Sequence, residues 1–142
     1  MDKREIRRQA LLDALEHRIL IIDGSMGALL QQRCAVDDYG GPQYENSPEM
    51  VLLTRPEIIA GIHRSYLEAG ADIIETDTFN ATRVAMADFH LQHRVREINL
   101  AAAALARQTA DEFGTDAQPR YVIGSMGPTT KAISLTGGVT FT

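Results

Sequence analysis

Asp23, Gly24 and Ser25 stand directly after the apolar run Ile19-Leu20-Ile21-Ile22, in the stretch ILIIDGSMGALL. A carboxylate attracts a cation, and free amide hydrogens at a helix start attract an anion. Side by side they form complementary halves for an α-amino acid. Asp23 suits the ammonium, and the Gly24 and Ser25 amides suit the carboxylate. An aspartate in that position also commonly caps a helix, so both roles stay open at this point.

Further along, ETDTFNAT puts Glu75 and Asp77 on one face of an extended segment. Thr76, Thr78 and Asn80 fall on the other. With Asp23, the two acids have the oxygen chemistry of a Mg²⁺ site. Thr78 and Asn80 have the chemistry of neutral hydrogen bonds to a polar ligand, while in a plain turn Asn80 caps the next helix. Gly124, Ser125, Met126 and Gly127 repeat the GSMG of residues 24–27, again after an apolar run, Tyr121-Val122-Ile123. Neither copy has the G-x-x-x-x-G-K-[ST] or G-x-G-x-x-G spacing of a nucleotide loop. No Cys-His or Ser-His-Asp arrangement is evident, and Cys34, the single cysteine, has no zinc-type partner spacing.

These residues need elements to hold them. Residues 3–16 repeat apolar positions at helical spacing, with Ile6, Ala10 and Ala14 four apart, and His17 and Arg18 close the helix. Residues 19–22 read as a strand buried on both faces. SMGALLQQR reads as a helix, and the polar stretch 37–48 as a functional loop or lid. Residues 54–70 form the clearest helix, with Thr54 and Glu57 at capping-box spacing, Pro56 in the first turn and Gly70 at the left-handed end. A second strand is predicted over 71–79, a long helix over about 93–113, and a third strand in RYVIGSMG. Alternation of this kind predicts a parallel sheet with right-handed crossovers. Both GSMG turns then lie at carboxyl ends of parallel strands, where α/β folds build their sites.

Composition narrows the class. The chain has 142 residues, 44% hydrophobic and 23% charged, with a net charge of -5. That is ordinary for a soluble domain. No Lys/Arg-rich run with interleaved aromatics points to nucleic acid. No apolar run reaches membrane length, and the charged start MDKREIRRQALL lacks the apolar core of a signal peptide. A lone cysteine excludes an internal disulfide framework and fits a reducing compartment, so the cytoplasm is expected.

Four separated blocks carry a resemblance: RILIIDGSMGALLQ, LLTRPEIIAGIHRSYLEAGADIIETDTFNATRVAMADF, EINLAAAALAR and RYVIGSMGPTTKAIS. In that order they resemble the start of the homocysteine-binding domain of cobalamin-dependent methionine synthases, within the homocysteine S-methyltransferase family. The resemblance implies a parallel (β/α)8 TIM barrel of which residues 1–142 hold only the first three βα units. It implies methyl transfer from methylcobalamin to zinc-activated homocysteine, giving methionine. It also assigns Asp23 to the substrate's amino group and Gly24 and Ser25 to its carboxylate, with Thr78, Asn80 and Gly127 near the site. The zinc cysteines of the family fall on later strands, so they are expected beyond residue 142, and no metal ligand or catalytic residue is expected within it. Cys34 matches none of them. The folate and cobalamin modules are likewise expected elsewhere. A full barrel takes about 250 residues and eight strands, so the chain reads as a truncated piece, inactive and free of cofactor alone. The alternatives are a family member with a different methyl donor, a small Mg²⁺-using α/β domain, or a non-catalytic module pairing through its sheet edge.

Overall fold

The computed structural model describes residues 2–131. Residues 132–134 of the last matching block, and the connection expected after the third strand, lie outside that range. Helix α1 (Lys3–His17) comes first, capped by the Asp2 side chain on the Arg4 amide. It is followed by α2 (Met26–Arg33), α3 (Pro48–Thr54) and α4 (Pro56–Glu68). Strand β1 (Ile73–Glu75), α5 (Arg83–Met86), α6 (Val95–Phe113) and β2 (Tyr121–Ile123) complete the order.

β1 and β2 pair in parallel, with Ile73 opposite Tyr121 and Glu75 opposite Ile123. The predicted first strand is reduced to a parallel bridge between Ile22 and Ile73. Its backbone still joins β1, because the Ile73 amide donates to Ile21 O and the Asp23 amide donates to Ile73 O. The expectation of burial on both faces fails here. Ile19 is 85% exposed and Ile21 56% exposed. Among the described residues this segment has one strand neighbour, β1, and too little packs against it to cover both faces.

The helices bury predictable faces. Ile59, Ile62 and Leu67 of α4 are buried, and so are Ile98, Ala102, Ala106 and Thr109 of α6. The main core gathers Leu30, Val51, Ile59, Ile62, Met86 and Ile98. A smaller cluster of Leu67, Ile74, Ala106 and Ala110 seats α6 on the sheet, its alanines letting the helix lie close. Gly70, with φ of 104°, ends α4 as predicted. The Gly70 amide donates to Leu67 O and the Ala71 amide to Tyr66 O, the paired bonds of a left-handed helix stop.

Two local readings are corrected. Thr54 does not open a capping box; it ends α3, and its single hydroxyl proton lies between the carbonyls of Met50 and Asp38. Pro56 forces the residue before it out of helical geometry, so Arg55 becomes the cap. The stretch 37–48 is not a bare loop. Short 3-10 turns occupy Val36–Tyr39 and Pro42–Tyr44, and α3 follows directly.

Candidate functional site

The bridge at Ile22 delivers Asp23 to the carboxyl end of the sheet. Its Oδ1 accepts the Glu75 amide at 3.0 Å, and its side chain is 3% exposed. Burial pushes its pKa up to about 6, opposed by the Glu75 amide and assisted by the Glu75 charge. Asp23 therefore does not cap α2. Ser25 takes the cap position but makes no side-chain bond to the helix. Among the described residues nothing caps the first amides of α2, and helix geometry gives them no partner within the helix.

A cavity of about 310 Å³ opens beside these groups. Asp23, Gly24 and Ser25 line one part of it; Glu75, Thr76, Asp77 and Asn80 line another; Glu49 and Ser125 lie on the wall too, with Met26, Gly27, Pro48 and Phe79. Of the residues predicted for the site, Asp23, Gly24, Ser25 and Asn80 come together on this surface. Thr78 and Gly127 do not line it.

Thr78 instead belongs to a closed ring of hydrogen bonds. The Ser125 amide donates to Thr76 Oγ1 at 3.1 Å, and Thr78 Oγ1 donates to Ser125 O at 2.8 Å. The two threonine hydroxyls stand 2.7 Å apart. Thr78 has one proton, already given to Ser125, so Thr76 donates to Thr78. Gly127 acts through size. Its amide donates to Phe79 O at 2.8 Å, and a Cβ there would fall 2.5 Å from that oxygen. The two GSMG copies are thus unequal. A Cβ on Gly27 would meet nothing within 4 Å.

The strand stops at Glu75, so strict alternation does not continue through 76–80. Thr76, Asp77 and Thr78 are all buried. Asp77 Oδ2 is buried without a hydrogen-bond partner among the described residues. Burial, then the neighbouring Glu49 charge, raises the Asp77 pKa to about 8. Glu49 was missed by the sequence reading. It is buried, its Oε1 accepts the Asn80 amide at 2.8 Å, and burial raises its pKa too. Ser47-Pro48-Glu49 has the residue types of a helix start, the signal that could have found it. His63 is also buried against this region, its Nδ1 4.0 Å from Asp23 Oδ2.

The Mg²⁺ reading finds no support in this geometry. Among the described residues no three His, Cys, Asp or Glu side chains converge to hold a metal ion. Zinc meets the same obstacle. Cys34 lines a separate cavity with Gln31, Tyr39 and Glu45. The residues described here do not fit a zinc site. Among the described residues no helix is long and apolar enough to cross a membrane.

An acid-and-amide rim at the carboxyl end of a parallel sheet is the kind of site expected from the matching blocks. The chain belongs to the homocysteine S-methyltransferase family, whose model matches residues 20–142. It is similar to the methionine synthase of Mycobacterium tuberculosis, with 42% identity over 126 residues. That match covers 88% of this chain and 10% of the relative, so the chain spans about a tenth of that protein's length. It is also similar in structure to the metallated form of the homocysteine methyltransferase MmuM from Escherichia coli. The TM-score is 0.66 at 29% identity, covering 84% of this chain and 41% of that one. The oxidized form of MmuM gives the same TM-score at 28% identity, covering 83% and 40%.

Proposed function

We propose that this chain supplies part of the homocysteine clamp in the (β/α)8 barrel of a methionine synthase. Asp23 takes the substrate ammonium. The free amides of Gly24 and Ser25, at the positive end of α2, take its carboxylate. Asn80 adds a polar group on the same wall, while Thr78 and Gly127 hold the wall in place from behind. The observation that carries this reading is the juxtaposition of a buried carboxylate and an uncapped helix start on one cavity.

Residues 1–142 form the opening βα units of that barrel in this reading, consistent with a span of about two-fifths of the MmuM chain. The complete enzyme works in the cytoplasm. Zinc there favours the thiolate of homocysteine and cobalamin carries the methyl group, both held by parts outside this chain. A family member with a methyl donor other than methylcobalamin is the second reading, because the family match names the homocysteine substrate and no donor. Supplying the full-length protein with each donor separates the two.

Titration of L-homocysteine into the ¹⁵N-labelled chain tests the clamp. Saturable shifts at the amides of residues 24–27, abolished in Asp23→Asn, are expected. Equal binding by wild type and Asp23→Asn, or no shift at these amides, overturns it.

A further inference from the structure

His63 is the least explained polar group beside the cavity. Its side chain is 1% exposed, and neither ring nitrogen has a hydrogen-bond partner among the described residues. Buried polar groups in folded proteins are nearly always paired. Burial alone lowers its pKa to about 4, so near neutral pH the ring is uncharged and holds one N–H. Nδ1 faces Asp23 Oδ2 at 4.0 Å, while Oδ1 of the same carboxyl is occupied by the Glu75 amide. With the proton on Nε2, a nitrogen lone pair would face a carboxylate oxygen. With the proton on Nδ1, the same approach is attractive, and a closure of about 1 Å makes a hydrogen bond.

We propose that His63 is a positioning residue for Asp23: its Nδ1–H, presented from α4 behind the strand tip, fixes the carboxylate in the orientation that meets an ammonium. The inference rests on the clamp reading. It adds a second tether to a side chain that the Glu75 amide holds by one oxygen only. His63 touches no substrate in this arrangement and acts through Asp23.

Long-range ¹H–¹⁵N correlation on the ¹⁵N-histidine-labelled chain reads the tautomer directly. A protonated Nδ1 and a bare Nε2 are expected; a predominant Nε2–H form overturns the proposal. Homocysteine titration of two variants gives the second readout. His63→Asn keeps a donor where Nδ1 stands and should bind within about threefold of wild type, whereas His63→Leu should bind about tenfold or more weakly. Equal loss in both variants, or no loss in His63→Leu, also overturns it. Should His63→Leu fail to fold, the tautomer of the unmodified chain still decides. A wild-type chain that binds no homocysteine removes the clamp, and the tautomer then reports on the His63–Asp23 relationship by itself.

Discussion

Asp23 and Glu75 are joined through opposite parts of their structures: the side-chain Oδ1 of the first accepts the backbone amide of the second at 3.0 Å. The Asp23 amide in turn donates to Ile73 O. The acid that ends one segment is therefore locked to the next strand by both its main chain and its side chain. A carboxylate held this way is preorganised, and it meets a cation without first losing rotamer freedom.

Binding by Asp23 should depend on pH. The carboxyl titrates at about 6 in the fold, raised by burial. Its charge is needed to hold an ammonium, so homocysteine affinity should fall as pH drops through that value. Calorimetric titration across the range checks this. Asp23→Asn keeps the oxygen that accepts the Glu75 amide, so the variant should stay folded while losing affinity above about pH 6, with the difference from wild type closing in acid.

Stability should move the other way. Asp77 titrates at about 8 in the fold and Asp23 at about 6, both above the ordinary value of 3.8. A carboxyl raised in the fold stays protonated where the unfolded chain has already ionised, so its contribution is whole below the unfolded value and is lost as pH rises through the folded value. The Tm should therefore decline between about pH 4 and pH 8. Asp77→Asn should flatten that decline, and thermal scans at several pH values measure it.

Asp72 should show the opposite sign. Its carboxyl receives the Arg18 guanidinium at 2.8 and 3.0 Å and the Ile21 amide at 2.9 Å. The Arg18 hydrogen bond holds its pKa below the usual value. The stability this provides is present above the unfolded pKa and lost as pH falls through the folded one. Asp72→Asn should lower the Tm at neutral pH, with the difference from wild type closing in acid.

The twin turns predict unequal glycine substitutions. Gly127→Ala drives a methyl against Phe79 O and should cost about 1–3 kcal/mol in denaturant unfolding. Gly27→Ala lies in α2 with open space around it and should be neutral, or stabilising by up to about 1 kcal/mol.

Much of this was legible from the chain. Ile59, Ile62 and Leu67 announced the buried face of α4, and Gly70 its end, because helix periodicity and a left-handed stop are local properties. Asp23, Gly24 and Ser25 could be placed together because they are consecutive. Thr78 was legible as a strand-end polar group, yet its partner Ser125 lies 47 residues away, so no local pattern could show where its proton goes. Glu49 escaped for a related reason. Its role depends on meeting the Asn80 amide across 31 residues, and the stretch before it had the polar composition of a loop.

The ring through Ser125, Thr76 and Thr78 runs in one direction only, each proton already assigned to the next oxygen. A guest entering the cavity therefore finds no spare hydroxyl proton on Thr76 or Thr78. Discrimination among amino acids then falls to charge, to Asn80 and to main-chain hydrogens on the opposite rim, so compounds differing only in a neutral group turned toward the threonines should be poorly told apart.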